Sequence, residues 1–189
     1  MRDVRDRLNA VMWLAHSEQI FKGSHDYLLE SMFLQLRKVL ELVAFGSLTA
    51  NQAKYAAAHA QFEKHWKAAK ILKDLEAVNP DFYPRPAKLT RVPVKGEAAN
   101  YALLTDGFLT KDEFVFLYDI SSAVIHTRNP FLAPSSIEIR YDIPVWVERI
   151  RQLLRIHIMH FVDDRRWLVY APETGKQGVY TVFGKAGVG

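Results

Sequence analysis

Tyr27-Leu-Leu-Glu-Ser-Met-Phe-Leu-Gln-Leu-Arg-Lys-Val-Leu-Glu-Leu-Val-Ala-Phe-Gly-Ser-Leu48 is the stretch that decides the fold. Leu28, Leu29, Met32, Phe33, Leu36, Val39, Leu40 and Val43 recur at steps of three and four, and Leu34, Leu42 and Phe45 widen that stripe. A helix apolar on most sides is the central helix of a bundle or a membrane span. Glu30, Arg37, Lys38 and Glu41 stand within it and would be costly in lipid, so the stretch reads as a buried helix over about 25–46. Gly46 is expected to close it, and Thr49-Ala-Asn-Gln52 to open the next helix as a capping box.

Working outward, residues 2–22 carry Leu8, Val11, Met12 and Ala15 at helical spacing. Tyr55, His59, Phe62, Trp66, Ala69 and Leu72 place a third helix before the stop at Asn79-Pro80. Pro84, Pro86 and Pro93 forbid a helix over 81–96, leaving Pro86 to Val92 as an extended or edge segment and the likeliest functional loop. Thr110-Lys-Asp-Glu113 is a second capping box, with Leu109 and Phe114 placed as a hydrophobic staple, and predicts a helix over about 111–127. Ser135 to Tyr141 alternates like a short strand or extended linker. Ile143, Val147, Ile150, Leu154, Ile158 and Phe161 predict a last helix over about 143–162. Trp167 to Ala171 and Gly178 to Phe183, joined by turn-forming residues, predict a β-hairpin. The expectation is therefore a mainly α fold: one domain over 1–189, with a bundle of about five helices (1–162) and a C-terminal β-hairpin and tail (163–189).

The composition is that of a globular domain: 189 residues, 49% hydrophobic and 24% charged. With no cysteine, a disulfide scaffold, a cysteine nucleophile and thiolate metal sites are excluded. Twenty-five Lys and Arg against 21 Asp and Glu give a mild +4, which permits an acidic partner without demanding one. No signal, membrane span or lipidation motif is read, so the expected compartment is the cytoplasm, with no membrane partner.

Several chemistries are absent. No Glu is followed three residues later by His, as a di-iron bundle requires, and His-Glu-x-x-His does not occur. His157 and His160 would share a helical face, with Asp163 and Asp164 near, but two imidazoles make a poor metal case. Gly184-Lys-Ala-Gly-Val-Gly189 has no helix after it to hold a phosphate and reads as a tail. No metal and no cofactor is expected.

One constellation remains. The helix opened by Thr110 ends Ser121-Ser-Ala-Val-Ile-His126-Thr-Arg-Asn-Pro-Phe131. His126, Arg128 and Asn129 converge on its terminus, where imidazole, guanidinium and amide can hold a phosphodiester. His126 could move a ribose 2′ proton and an arginine could hold the developing phosphorane charge without a metal; the structural alternative is a His cap followed by an Asn-Pro turn. On the central helix, Arg37 and Lys38 are candidate nucleic-acid contacts, or with Glu41 an ordinary salt bridge.

A late helix ending in His126-Thr-Arg-Asn-Pro-Phe131, in an all-helical domain, resembles the HEPN superfamily. The resemblance implies a compact helical bundle that dimerises, often a metal-independent ribonuclease of toxin–antitoxin or antiphage systems, otherwise a non-catalytic accessory domain. The family pattern sets an Arg four to six residues before the His. Here residues 119–122 read Asp-Ile-Ser-Ser, so only His126 maps onto it, with Arg128 or Arg37 left as substitutes. The expected partners are thus a second copy of the chain and RNA. The rival reading is a non-enzymatic homodimerising domain that binds a protein partner, and a third is a small-molecule binder using Trp13, Trp66, Tyr101 and Trp146.

Overall fold

The computed structural model describes residues 1–17, 25–58, 67–90, 100–126, 138–161 and 166–171, and the backbone of 178–182. The fold is mainly helical. Six helices lie among the described residues: α1 (Arg2–His16), α2 (His25–Ala50), α3 (Gln52–Ala58), α4 (Ala68–Val78), α5 (Lys111–Ile125) and α6 (Ile143–Arg155). α2 runs through the middle, packed against α1, α4 and α5. Its Phe33, Leu36, Val39, Leu40 and Ala44 are sealed, and they join Val11, Tyr55, Ile71, Phe114, Leu117, Trp146 and Ile150 in one core. Among the described residues no helix is long and apolar enough to cross a membrane.

Several boundaries differ from the sequence reading. The first helix closes at Ser17, and the expected third helix is not continuous, since Lys67 stands in extended backbone (φ −76°, ψ 109°) at the start of α4. Gly46 does not stop α2, which continues to Ala50, because Val43, Ala44, Ser47 and Leu48 are buried on either side of it. Tertiary burial outweighs the roughly 1 kcal/mol that a glycine costs inside a helix. The capping box expected at Thr49 is therefore not formed: the Thr49 hydroxyl donates to the Phe45 carbonyl, 2.8 Å away within the same helix. The last helix ends at Arg155 and not near 162, since Ile156 turns to φ −142°, ψ 121° and opens a strand. Ile-His-Ile-Met-His suits both periods, and pairing on both edges decides it for the strand.

That strand makes the C-terminal hairpin part of a larger sheet. β1 (Arg85–Leu89), β2 (Tyr101–Leu103), β3 (Ile156–His160), β4 (Arg166–Tyr170) and β5 (Gly178–Val182) stand in the order β2-β1-β3-β4-β5. Every neighbouring pair is antiparallel. The expected hairpin is β4–β5, in register from Arg166↔Val182 to Tyr170↔Gly178. The proline-rich segment is not an edge. β1 pairs through Arg85 and Pro86 with β3 and through Ala87 to Leu89 with β2, so a strand carrying a proline sits inside the sheet by dividing its pairing.

Two polar clusters hold the layers together. Asn79, at the end of α4, donates to Asn51 Oδ1 at 2.7 Å and to the His160 carbonyl at 3.1 Å, fastening the α2–α3 junction to β3. At the start of α5 the second capping box is formed as read: Thr110 Oγ1 accepts from the Glu113 amide at 3.2 Å, and Glu113 Oε2 from the Thr110 amide at 3.0 Å. Leu109 and Phe114 of the staple are both fully buried. Gly107, at φ +77°, makes the turn that carries Leu109 to its backbone bond with Arg149 of α6.

Of the remaining expectations, residues 18–22 of the first helix, His59, Phe62, Trp66, Pro93, residues 135–137, Asp163, Asp164 and the glycine-rich tail lie outside the described residues. Residues 138–142 form no strand. Trp146 is core, edge-on to Tyr141 with ring centroids 4.9 Å apart, whereas Trp13 is 62% exposed, so these tryptophans line no common pocket.

Candidate functional site

Helical spacing puts Tyr118, Ser122 and His126 in one row along α5. The first two are bound from outside their helix. Arg37, on α2, donates from Nη2 to the Tyr118 hydroxyl at 3.0 Å and from Nη1 to Ser122 Oγ. Its guanidinium also lies 4.6 Å from the centre of the Tyr118 ring. Its Nε is 3.2 Å from Glu41 Oε1, one turn on along α2. Three different acceptors and a ring face thus fix the guanidinium plane, which is how arginine is held where a planar contact matters. The Ser122 hydroxyl passes its own hydrogen to the Tyr118 carbonyl at 2.8 Å, so its lone pairs face Arg37.

His126 follows one turn beyond Ser122, as the residue that ends α5. Its backbone is extended, at φ −89°, ψ 132°, and its amide donates to the Ser122 carbonyl at 3.2 Å. The imidazole is exposed. Lys38, half exposed, pairs with Glu41 Oε2 at 2.9 Å. The face formed by α2 and α5 therefore offers one immobilised guanidinium, one half-exposed ammonium, one carboxylate between them and one exposed imidazole. A net positive charge remains beside a group able to carry a proton.

The structure brings together Arg37, Lys38 and the helix bearing His126. Arg128 and Asn129 lie outside the described residues. Sequence reading named Arg37 and His126 on separate grounds and missed Tyr118 and Ser122, which join them. The available signal was the four-residue spacing of Tyr118, Ser122 and His126 on a helix already recognised.

The histidine pair considered for a metal is separated. In a strand, residues three apart face opposite sides, so His157 and His160 diverge where a helix would have aligned them. His157 is buried, and burial lowers its pKa to about 4 despite the opposing effect of its bond to the Leu154 carbonyl. His160 is also lowered, by burial first and then by Arg166 and Arg85, with Asp81 opposing. Among the described residues no group of three His, Asp or Glu side chains could hold a metal ion.

No protein-family model, curated protein or solved structure matches the chain.

Proposed function

We propose that the chain is a HEPN-like, nucleic-acid-associated module of a defence or toxin–antitoxin kind, acting on RNA without a metal at the α2–α5 face. The observation that carries this reading is Arg37 locked against Tyr118 and Ser122, one turn from His126. An arginine missing from its usual place before the histidine is replaced by one from the neighbouring helix. His126 takes the proton of a ribose 2′-hydroxyl, the 2′ oxygen bonds to phosphorus, the P–O5′ bond breaks, and the 5′ oxygen leaves as an alcohol with a proton taken from water. Arg37, already oriented, stabilises the charge gathering on the phosphoryl oxygens, and Lys38 steers the backbone in.

Incubation of the purified protein with single-stranded RNA tests this. Products ending in 2′,3′-cyclic phosphate are expected, insensitive to chelators. His126→Ala should slow cleavage by about 10²–10⁴-fold, the contribution of a positioned base. Arg37→Lys, which keeps the charge but not the fork, should slow it by about 10²–10³-fold. RNA binding without cleavage assigns the non-catalytic form of the module; neither binding nor cleavage at low salt overturns the reading.

The same module works as a homodimer. Tyr27, Leu34 and Phe45 are 74%, 41% and 37% exposed, and their spacings of seven and eleven residues align them along the α2 face that carries Lys38. A strict monomer in sedimentation at high micromolar concentration would remove this part of the reading.

A further inference from the structure

Nine residues after Arg37, and so on the far side of α2, the helix borders a second feature. A cavity of about 440 Å³ lies between the C-terminal half of α2, the start of α1 and the inner face of β3 and β4. Its size is that of a small-molecule site. Val43, Leu154, Met159, Phe161 and Trp167 make its wall predominantly apolar, and the Phe161 and Trp167 rings meet edge to face at 4.6 Å.

Two details of this wall are not accounted for by packing. The first is His157, which is 5% exposed and lines the cavity. Its Nδ1 is 3.1 Å from the Leu154 carbonyl. A carbonyl only accepts, so Nδ1 carries the hydrogen and Nε2 presents a lone pair. Among the described residues no donor satisfies that lone pair. The second is Gly46, which also lines the cavity. A Cβ built there would meet no atom within 4 Å, so no crowding demands glycine. Its φ is helical, so no backbone strain demands it either. Glycine leaves the backbone of α2 bare towards the void, which close approach by an occupant would use.

We propose that this cavity binds a neutral apolar molecule carrying one hydroxyl group, an alcohol or a phenol. The hydroxyl donates to Nε2 of His157, and the hydrocarbon body fills the space between Gly46 and the Phe161–Trp167 pair. A carboxylate is disfavoured because it would set its own lone pairs against Nε2. A cation is disfavoured because the one carboxylate at the wall, Asp3, is already paired with Arg7 at 3.0 Å and the rest of the lining is predominantly apolar. This site is independent of the RNA reading, and neither stands or falls with the other.

The probes are 2-naphthol and naphthalene, titrated into the full chain and followed by tryptophan fluorescence and calorimetry. The wild type should bind 2-naphthol about fivefold more tightly than naphthalene, the scale of one net hydrogen bond. His157→Phe should abolish that preference while still binding naphthalene. Gly46→Leu, which projects a side chain into the void from an uncrowded position, should weaken both probes at least tenfold with an unchanged or higher melting temperature. Equal affinity of the wild type for the two probes, undiminished binding by Gly46→Leu, or no binding of either probe to the wild type would each overturn the proposal.

Discussion

At the N-terminal end of α5, Arg149 grips Glu113 through Nη2 at 2.7 Å to both carboxylate oxygens, while Tyr141 donates to Oε1 at 3.1 Å and the Thr110 amide to Oε2. At the C-terminal end, Arg37 is bound to Glu41 from its own helix and reaches α5 through two hydroxyls and the Tyr118 ring, without a carboxylate from that helix. Both ends pair an arginine with a carboxylate beside a tyrosine. The first is closed: Glu113 is 7% exposed, and every contact it makes serves to start the helix or dock α6. The second is open: a half-exposed lysine shares its carboxylate, and the exposed His126 ends the helix one turn past Ser122. Closure marks a joint of the fold, and the open end is the one we propose as a working surface.

The largest difference should appear on removing the carboxylates. Glu113→Ala deletes the capping box and leaves the part-buried Arg149 charge without its carboxylate, which should cost about 3–5 kcal/mol in urea denaturation. Glu41→Ala removes two pairs within a single helix, with Arg37 and with Lys38, but Arg37 keeps Tyr118 and Ser122 and no cap is lost, so a smaller cost of about 1–2 kcal/mol is expected. Equal losses would break the distinction between joint and surface.

Acid should sharpen it next. Burial pushes the Glu113 carboxyl up, but the Thr110 amide, Arg149 and Tyr141 together outweigh that and hold its pKa below the usual 4.5. Its folded pKa is depressed, so its contribution is full above 4.5 and fades only as pH falls through the lower folded value. His157 behaves differently. With its pKa lowered from 6.5 to about 4, the unfolded chain binds the proton first, and stability declines as pH drops across that window. The integrated loss is about 3 kcal/mol at 1.36 kcal/mol per unit. His160, also lowered, adds to the same slope. Melting temperatures should therefore begin to fall below pH 6.5, before the joint at Glu113 is touched, and His157→Phe should flatten most of that decline. A decline confined to pH below 4.5 would assign acid sensitivity to the carboxylates instead.

A smaller effect tests the wall of the cavity. Gly46→Ala should raise stability by about 1 kcal/mol, the difference in helix propensity, because the added methyl meets nothing. A loss would mean that the glycine serves the fold itself.

What could be read from the sequence divides along the same lines. The joint at Thr110 was legible because a capping box is local: its donor and acceptor stand three residues apart and need no tertiary knowledge. The interior of α2 was legible because no other element accommodates so wide an apolar stripe. The ends of elements were not. Gly46 and Thr49 carry local stop and start signals that burial of Val43, Ser47 and Leu48 overrides, and Ile156 to His160 satisfies helical spacing until β1 and β4 supply partners. The proposed working surface was legible only as fragments. Arg37 and Ser122 are 85 positions apart, and no periodicity within either helix announces that one will meet the other.

The smallest expected effect on stability is at His126, and it separates the two ends of α5 most sharply. The imidazole is exposed, and the bond that ends the helix is made by its backbone amide to the Ser122 carbonyl, which alanine would keep. His126→Ala should therefore change stability by no more than about 0.5 kcal/mol, as for a surface position without a structural task. Any larger loss, near the roughly 1 kcal/mol of a helix cap or dipole contact, would return His126 to the fold as a capping residue. The decisive comparison sets this variant beside Arg37→Lys. Lysine cannot bind Tyr118, Ser122 and Glu41 together as the guanidinium does, so Arg37→Lys should cost stability as well as RNA cleavage. His126→Ala should cost cleavage alone. An arginine that serves both the fold and the site, next to a histidine that serves only the site, is the pattern expected when a structural contact has been made into the floor of an active surface. Equal melting losses for the two variants, with RNA left intact by the wild type, would make the C-terminal end of α5 a second joint.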